Sequence, residues 1–201
     1  MEGIVIGFIV GKIRGGKFGN FKFLSLRAWP LILLAFLLQI SPLFAQKIYL
    51  FSKYGSYFYG ASFIFLIICM ALNIEKKGVW ALLIGIIFNT MVVFLNELKM
   101  PISFQGLTLA GLESMIEGIK NGQILHYMDL RNVTDWTKLL GKYIVIPKPY
   151  PLSKVVSIGD IWMSLGLILF IQGGMRLDPF HHMHRYGKAD RMIKFRYIGK
   201  N

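Results

Sequence analysis

"VVSIGDIWMSLGLILF", residues 155–170, sets one carboxylate, Asp160, at the head of a run that is otherwise almost wholly apolar. Continued to residue 173, the run approaches the roughly 20 helical residues that cross about 30 Å of hydrocarbon. Ser157 and Asp160 stand in the S-x-x-D spacing of a capping box. Each side chain then satisfies a backbone N–H left over at the helix start, and the carboxylate complements the positive helix end. A carboxylate at that place can also accept a proton or a ligand's donor, so the structural and functional readings of Asp160 are compatible.

The rest of the chain has the same character. Of 201 residues, 55% are hydrophobic and only 16% charged, and the mean hydropathy is +0.54, which is too apolar for an ordinary soluble domain of this size. Besides 157–173, the apolar segments are 29–45, 57–72 and Val79–Leu95, with a shorter one at Glu2–Ile13 that needs local thinning or support from neighbours. The pattern predicts an all-α fold, a polytopic membrane helix bundle of about five transmembrane helices. The first basic residue is Lys12, so the start lacks the basic region of a secretory signal and is expected to be retained. Cys69 is the only cysteine, which excludes an intramolecular disulfide.

Loops near span ends carry an excess of Lys and Arg on the cytoplasmic side. With the N-terminus outside, the inner segments hold fourteen of the 23 basic residues and three of the 10 acidic ones, net +11 against +2 outside. The expected topology is N-terminus outside and C-terminus inside, with residues 174–201 forming a basic cytoplasmic tail. The +13 charge then calls for no nucleic acid; it suits a face that rests on anionic lipid headgroups. Tyr54, Tyr57, Phe58 and Tyr59 at the outer side, and Trp29 and Trp80 at inner ends, read as interface anchors.

Residues 96–156 form a long extracytoplasmic loop. Within 106–122, Leu109, Leu112, Met115, Ile116 and Ile119 recur at helical spacing between Glu113, Glu117 and Lys120, which predicts one amphipathic helix lying on the membrane or capping the bundle. The following VIPKPYPLSKVV is proline-punctuated and reads as extended chain. No sizeable separate domain is expected there.

Four motifs remain. Gly3, Gly7, Gly11 and Gly15 recur every four residues and strip one helix face of side chains, so that another helix, in this chain or another, can approach closely. The stretch GKIRGGKFGN (11–20) lacks the GK[ST] ending of a phosphate-binding loop and reads as a cytoplasmic turn. Asn89 and Asn96, seven residues apart, share a helix face and should not meet lipid. His181, His182 and His184 crowd the tail, yet without a defined tetrahedral partner set they give no metal site. His126 lies near Asp129, Thr134, Asp135 and Thr137 and has acid–base character, but no nucleophile or metalloprotease motif accompanies it, and no catalytic residue is assigned.

The glycine-rich opening with RGG, the N-x-x-x-M-P of Asn96 to Pro101, His126 with T-x-L-L-G at 137–141, and S-I-G-D together resemble an uncharacterised family of small bacterial integral-membrane proteins, a domain of unknown function. The resemblance implies a compact protein of the bacterial cytoplasmic (inner) membrane and supplies no reaction. Where it implies an acidic residue after L-L-G, this chain has Lys142.

Three functions suit these features. The first is a non-catalytic subunit or scaffold of a larger inner-membrane complex, with another membrane protein or a second copy on the glycine face. The second is a lipid- or quinone-binding protein whose outer pocket uses Asn96, His126 and Asp160. The third is a small transporter. No cofactor is expected unless a quinone or lipid fills that role.

Overall fold

A computed structural model describes residues 2–41 and 49–176. The chain is mostly helical: α1 (Glu2–Ile13), α2 (Pro30–Ile40), α3 (Tyr49–Ala71), α4 (Val79–Leu95) and, after residues 96–157, α8 (Ile158–Met175). The tail histidines and most of the basic tail lie outside the described residues. α2 starts on Pro30, whose missing N–H is harmless in the first turn. α4 follows Gly78, which is left-handed at φ 83°. α8 opens on the capping box expected of Ser157 and Asp160. Among the described residues two helices are long and apolar enough to cross a membrane, α3 over Lys53–Ala71 and α8, while α2 and α4 are shorter apolar helices. α3 begins eight residues before the expected 57, because the aromatic segment read as a flank continues the helix.

α8 is the central element, packed on α4 and on α1; α3 packs on both α2 and α4. α1 runs parallel to α8: a Cβ on Gly3 would meet Ser164, one on Gly7 would meet Ile168 and Ile171, and one on Gly11 would meet Met175. The glycine face therefore lies against a helix of the same chain. Gly15 is not part of it, for it stands beyond the helix end with φ 78° and nothing within 4 Å. At its C-terminal end this pair is fastened by the Lys17 N–H and Asn20 Nδ2, which donate to Met175 O at 2.9 and 2.8 Å, and by Arg14 Nη1 to Gln172 Oε1 at 3.2 Å. Beside it, the buried Asn73 of the α3–α4 turn clamps the approach to α2 through Arg27 O (2.8 Å) and the Arg27 N–H (2.9 Å).

α4 and α8 run antiparallel and meet backbone to backbone through glycines spaced two turns apart on each, Gly78 and Gly85 against Gly166 and Gly159. A Cβ on Gly85 would stand 2.5 Å from Gly159 O and 2.7 Å from Met163 N. This seam escaped the sequence analysis because its repeat is seven residues, not four.

Residues 96–156 fold into a small cap, which corrects two expectations. The single helix over 106–122 is two short helices, α5 (Phe104–Leu109) and α6 (Glu113–Lys120), broken where Gly111 turns left-handed at φ 70°. The all-α expectation also misses short strands. β1 (Met100–Ile102) pairs in parallel with β2 (Tyr127–Asp129), and β3 (Ile144–Ile146) pairs antiparallel with β4 (Lys154–Val156) across the proline loop. Between β2 and β3 lies one further turn of helix, α7 (Asp135–Lys138). The β-branched runs Ile144-Val145-Ile146 and Val155-Val156 favour strand over irregular chain. Ile102, Leu107, Ala110 and Val155 form the cap's own buried core, with Leu112 and, from α6, Met115, Ile116 and Ile119 packed on it, while Leu109 is exposed.

Replacing Gly85 by isoleucine forces the α4–α8 backbones apart and is expected to destabilise the protein by about 2 kcal/mol or more, seen as a lowered thermal midpoint in detergent. Gly19→Ala, where nothing lies within 4 Å, should leave the midpoint unchanged.

Candidate functional site

The start of α8 faces Asn89, nearly two turns short of the end of α4, and the three side chains there close a hydrogen-bonded ring. Ser157 Oγ accepts from the Asp160 N–H (3.0 Å) and donates to Asn89 Oδ1 (2.8 Å); Asn89 Nδ2 donates to Asp160 Oδ1 (3.0 Å). Asp160 Oδ2 accepts from the Ser157 N–H (3.1 Å) and from Lys142 Nζ (2.5 Å). The capping box is thus also the floor of an ion pair, in which the Lys142 and Asp160 side chains are only 17% and 24% exposed.

β1 places the groups that meet this ring from the cap. The Met100 N–H donates to His126 O (2.8 Å), while Lys142 is held on both sides by β1, its N–H donating to Pro101 O (2.9 Å) and its carbonyl accepting from the Ser103 N–H (2.8 Å). The Met100-Pro101 pair after α4 therefore sets both His126 and Lys142. His126 lies between Tyr127 and Tyr59, with ring centroids 4.5 and 5.3 Å away, and its Nδ1 is buried without a hydrogen-bond partner.

These residues line an open-sided cavity of about 270 Å3, formed by Tyr59, Asn89, His126, Tyr127, Lys142 and Asp160 together with Phe63, Met100, Met163 and Gln39. On the far side of the Lys142–Asp160 pair is a larger, mainly apolar groove of about 560 Å3 between α1, α8 and the cap. Its rim carries the Lys154–Glu2 ion pair at 2.5 Å. Tyr127, Lys142 and Asp160 line both spaces, so the ion pair is the partition between them.

Burial, reinforced by the charge of Lys142, lowers the His126 pKa from its usual 6.5 to about 4, so the imidazole is neutral at neutral pH. For Lys142, burial opposes the charge, but Tyr127 and Asp160 outweigh it and hold the ammonium above its ordinary range. Asp129 shows the same contest with the opposite sign: burial would raise it, yet the hydrogen bonds and charge of Arg131 keep it below the usual carboxylate range.

Of the three residues named from sequence, His126 and Asp160 line one cavity and Asn96 does not. Asn96 ends α4, its Nδ2 donating to Val92 O one turn back at 2.7 Å, and Asn89 takes the place assigned to it. Asp129 and Thr137, named with His126 from the sequence, do not join it. Asp129 caps and pairs with Arg131 and faces another cavity, and Thr137 Oγ1 donates to Thr134 O (2.8 Å). Tyr59 is no interface anchor, since it turns inward. Lys142 was legible only as a departure after L-L-G. Its reversed sign there is the signal, because a cation is what the Asp160 carboxylate requires. Among the described residues no three His, Cys, Asp or Glu side chains gather to hold a metal.

The fold and site define a mostly helical protein with a capped, charge-balanced cavity at one end of its helix bundle. A model described as a family of unknown function (DUF5317) matches residues 23–172, and the chain belongs to that family. The matched span takes in α2 to the end of the α8 core and the whole cavity, and leaves out the glycine-rich α1. No curated protein and no solved structure matches the chain.

Because folded His126 resists the proton that the unfolded chain accepts below about pH 6.5, its contribution is complete above that pH and is lost as pH falls toward about 4. Thermal midpoints measured from about pH 7 to about pH 5 should fall, by up to about 2 kcal/mol of stability. His126→Gln should flatten that slope.

Proposed function

We propose that this is an integral membrane protein that holds the polar head of a membrane amphiphile, a lipid or a quinone, beneath its outer cap. The observation that carries the reading is the convergence of Asn89, His126, Lys142 and Asp160 on one cavity at the end of an apolar bundle, with a buried imidazole nitrogen still lacking a partner. Protein ligand sites combine apolar walls with a few convergent polar groups in this way. Paired charges withdrawn from water at the end of an apolar bundle are expensive and mark functional sites by default.

The membrane setting is supported by an inverted distribution of side chains. Val5 and Ile9 of α1, Phe36 and Leu37 of α2, Ile64 and Ile68 of α3, Ile87 and Phe94 of α4, and Ile161 and Leu165 of α8 are exposed, while Ser62, Asn73, Asn89 and Gln172 are buried. Lipid solvates the first set and the bundle satisfies the second. All five helices then serve as spans, with α1 supported by α8, the cap outside and the basic turns inside the cytoplasmic membrane of a bacterium. A scaffold role drew on the glycine face of α1. α8 fills Gly3, Gly7 and Gly11 within the chain, so the amphiphile reading is preferred.

Organic extraction of protein purified in mild detergent, followed by mass spectrometry, should release a lipid-tailed molecule in near-stoichiometric amount. His126→Phe, which fills the cavity, should reduce it at least about fivefold. Equal recovery from both proteins, or a stoichiometric membrane-protein partner in place of the lipid, would reverse the order of the two readings. For orientation, in a Cys69→Ser background a membrane-impermeant thiol reagent applied to intact spheroplasts should label Glu117→Cys in the cap and spare Lys17→Cys. The opposite pattern refutes the topology.

A further inference from the structure

The charges inside the cavity already cancel. Lys142 and Asp160 are paired at 2.5 Å, and the other polar groups lining the space, Tyr59, Asn89, His126, Tyr127 and Gln39, bring no balancing charge. A carboxylate or phosphate drawn to Lys142 would have to displace Asp160 and leave one anion uncompensated among apolar walls, which is strongly unfavourable. What the cavity lacks is a single hydrogen-bond partner, for His126 Nδ1 is buried and unsatisfied, and buried polar atoms in folded proteins are rarely left so. Depending on the imidazole tautomer, that nitrogen either donates to a carbonyl oxygen or accepts from a hydroxyl.

The walls beside it are aromatic. Tyr127 and Tyr59 flank the imidazole, and Phe63 stands edge-on to Tyr59 at 5.1 Å between centroids. A flat ring entering there gains stacked or edge-to-face contact that a flexible chain does not. The space of about 270 Å3 is just short of the range typical of drug-sized ligands, which suits one substituted ring.

We infer that the cavity takes an uncharged ring bearing oxygen substituents, the head of a quinone or quinol, with one ring oxygen bonded to His126 Nδ1 and the tail among the apolar helices. The inference rests on the amphiphile reading above and narrows it. Long-chain alcohols and diacylglycerols share the uncharged oxygen chemistry, and the aromatic walls are what separate the ring from them.

The test is calorimetric titration of the full-length protein in detergent with three probes of one alkyl tail: a benzoquinone, a carboxylate and a primary alcohol. The benzoquinone should bind at least about tenfold tighter than either of the others, and His126→Phe should cost at least about tenfold. His126→Gln, which keeps the site polar, guards against a folding defect and should retain part of the affinity. Asp160→Asn keeps an oxygen for the Ser157 N–H but leaves Lys142 uncompensated, and should shift preference toward the carboxylate. Wild-type binding of the carboxylate as tight as the benzoquinone, or an unchanged preference in Asp160→Asn, overturns the charge argument. Equal binding of the alcohol overturns the ring, and equal benzoquinone affinity in His126→Phe overturns the placement. A lipid that co-purifies while benzoquinone fails to bind refutes this inference alone; no co-purifying lipid and no binding of any probe refutes the amphiphile reading beneath it.

Discussion

A carboxylate withdrawn from water needs every lone pair answered, and around Asp160 the answers come from three separate parts of the chain. Its own helix supplies the Ser157 N–H, α4 supplies Asn89, and the cap supplies Lys142. The electrostatics of the helix start adds to these, since the leading end of α8 carries the positive pole of its backbone dipoles. Removing one partner of such a buried pair costs far more than the pair contributes net, because the survivor is left charged and unsolvated. The cap is therefore bound to the bundle by a contact that fails steeply when incomplete, and the position of His126 above it follows from the strand that holds Lys142.

The same contact divides space. On one side lies a small polar cavity with aromatic walls, on the other a larger apolar groove reaching down α1 and α8. Both depend on the closeness of α4 and α8, which the paired glycines at 78 and 166 and at 85 and 159 permit. Were those helices held apart by side chains, Asn89 could not reach Asp160 and Ser157, and the ring of hydrogen bonds beneath the cavity would open.

Much of this was readable from residue order, and the parts that were not share a cause. The capping box, the bounds of α1 and α4 and the close-packing glycines of α1 follow from local spacing, because each depends on residues within a turn or two. Lys142 and Tyr59 do not, since their roles depend on partners far along the chain; spacing alone places Tyr59 with its exposed neighbours Tyr54 and Tyr57. Asn96 and Asn89 share a helix face and spacing does not rank them, whereas the start of α8 lies level with Asn89, nearly two turns back from the end of α4. The cap strands are only three residues each, too short for a two-residue period to stand out, and one glycine with left-handed backbone split the helix that an unbroken apolar pattern suggested.

The pairing of α1 with α8 sets the order of assembly. The partners of Gly3, Gly7 and Gly11 lie some 160 residues downstream, so at ribosomal speed α1 waits on the order of ten seconds for them to emerge. Until then a helix of 12 residues with one face stripped to glycine has no groove to occupy. α1 is thus housed only once α8 has been made, and the bundle closes by joining two helices that lie far apart in the chain.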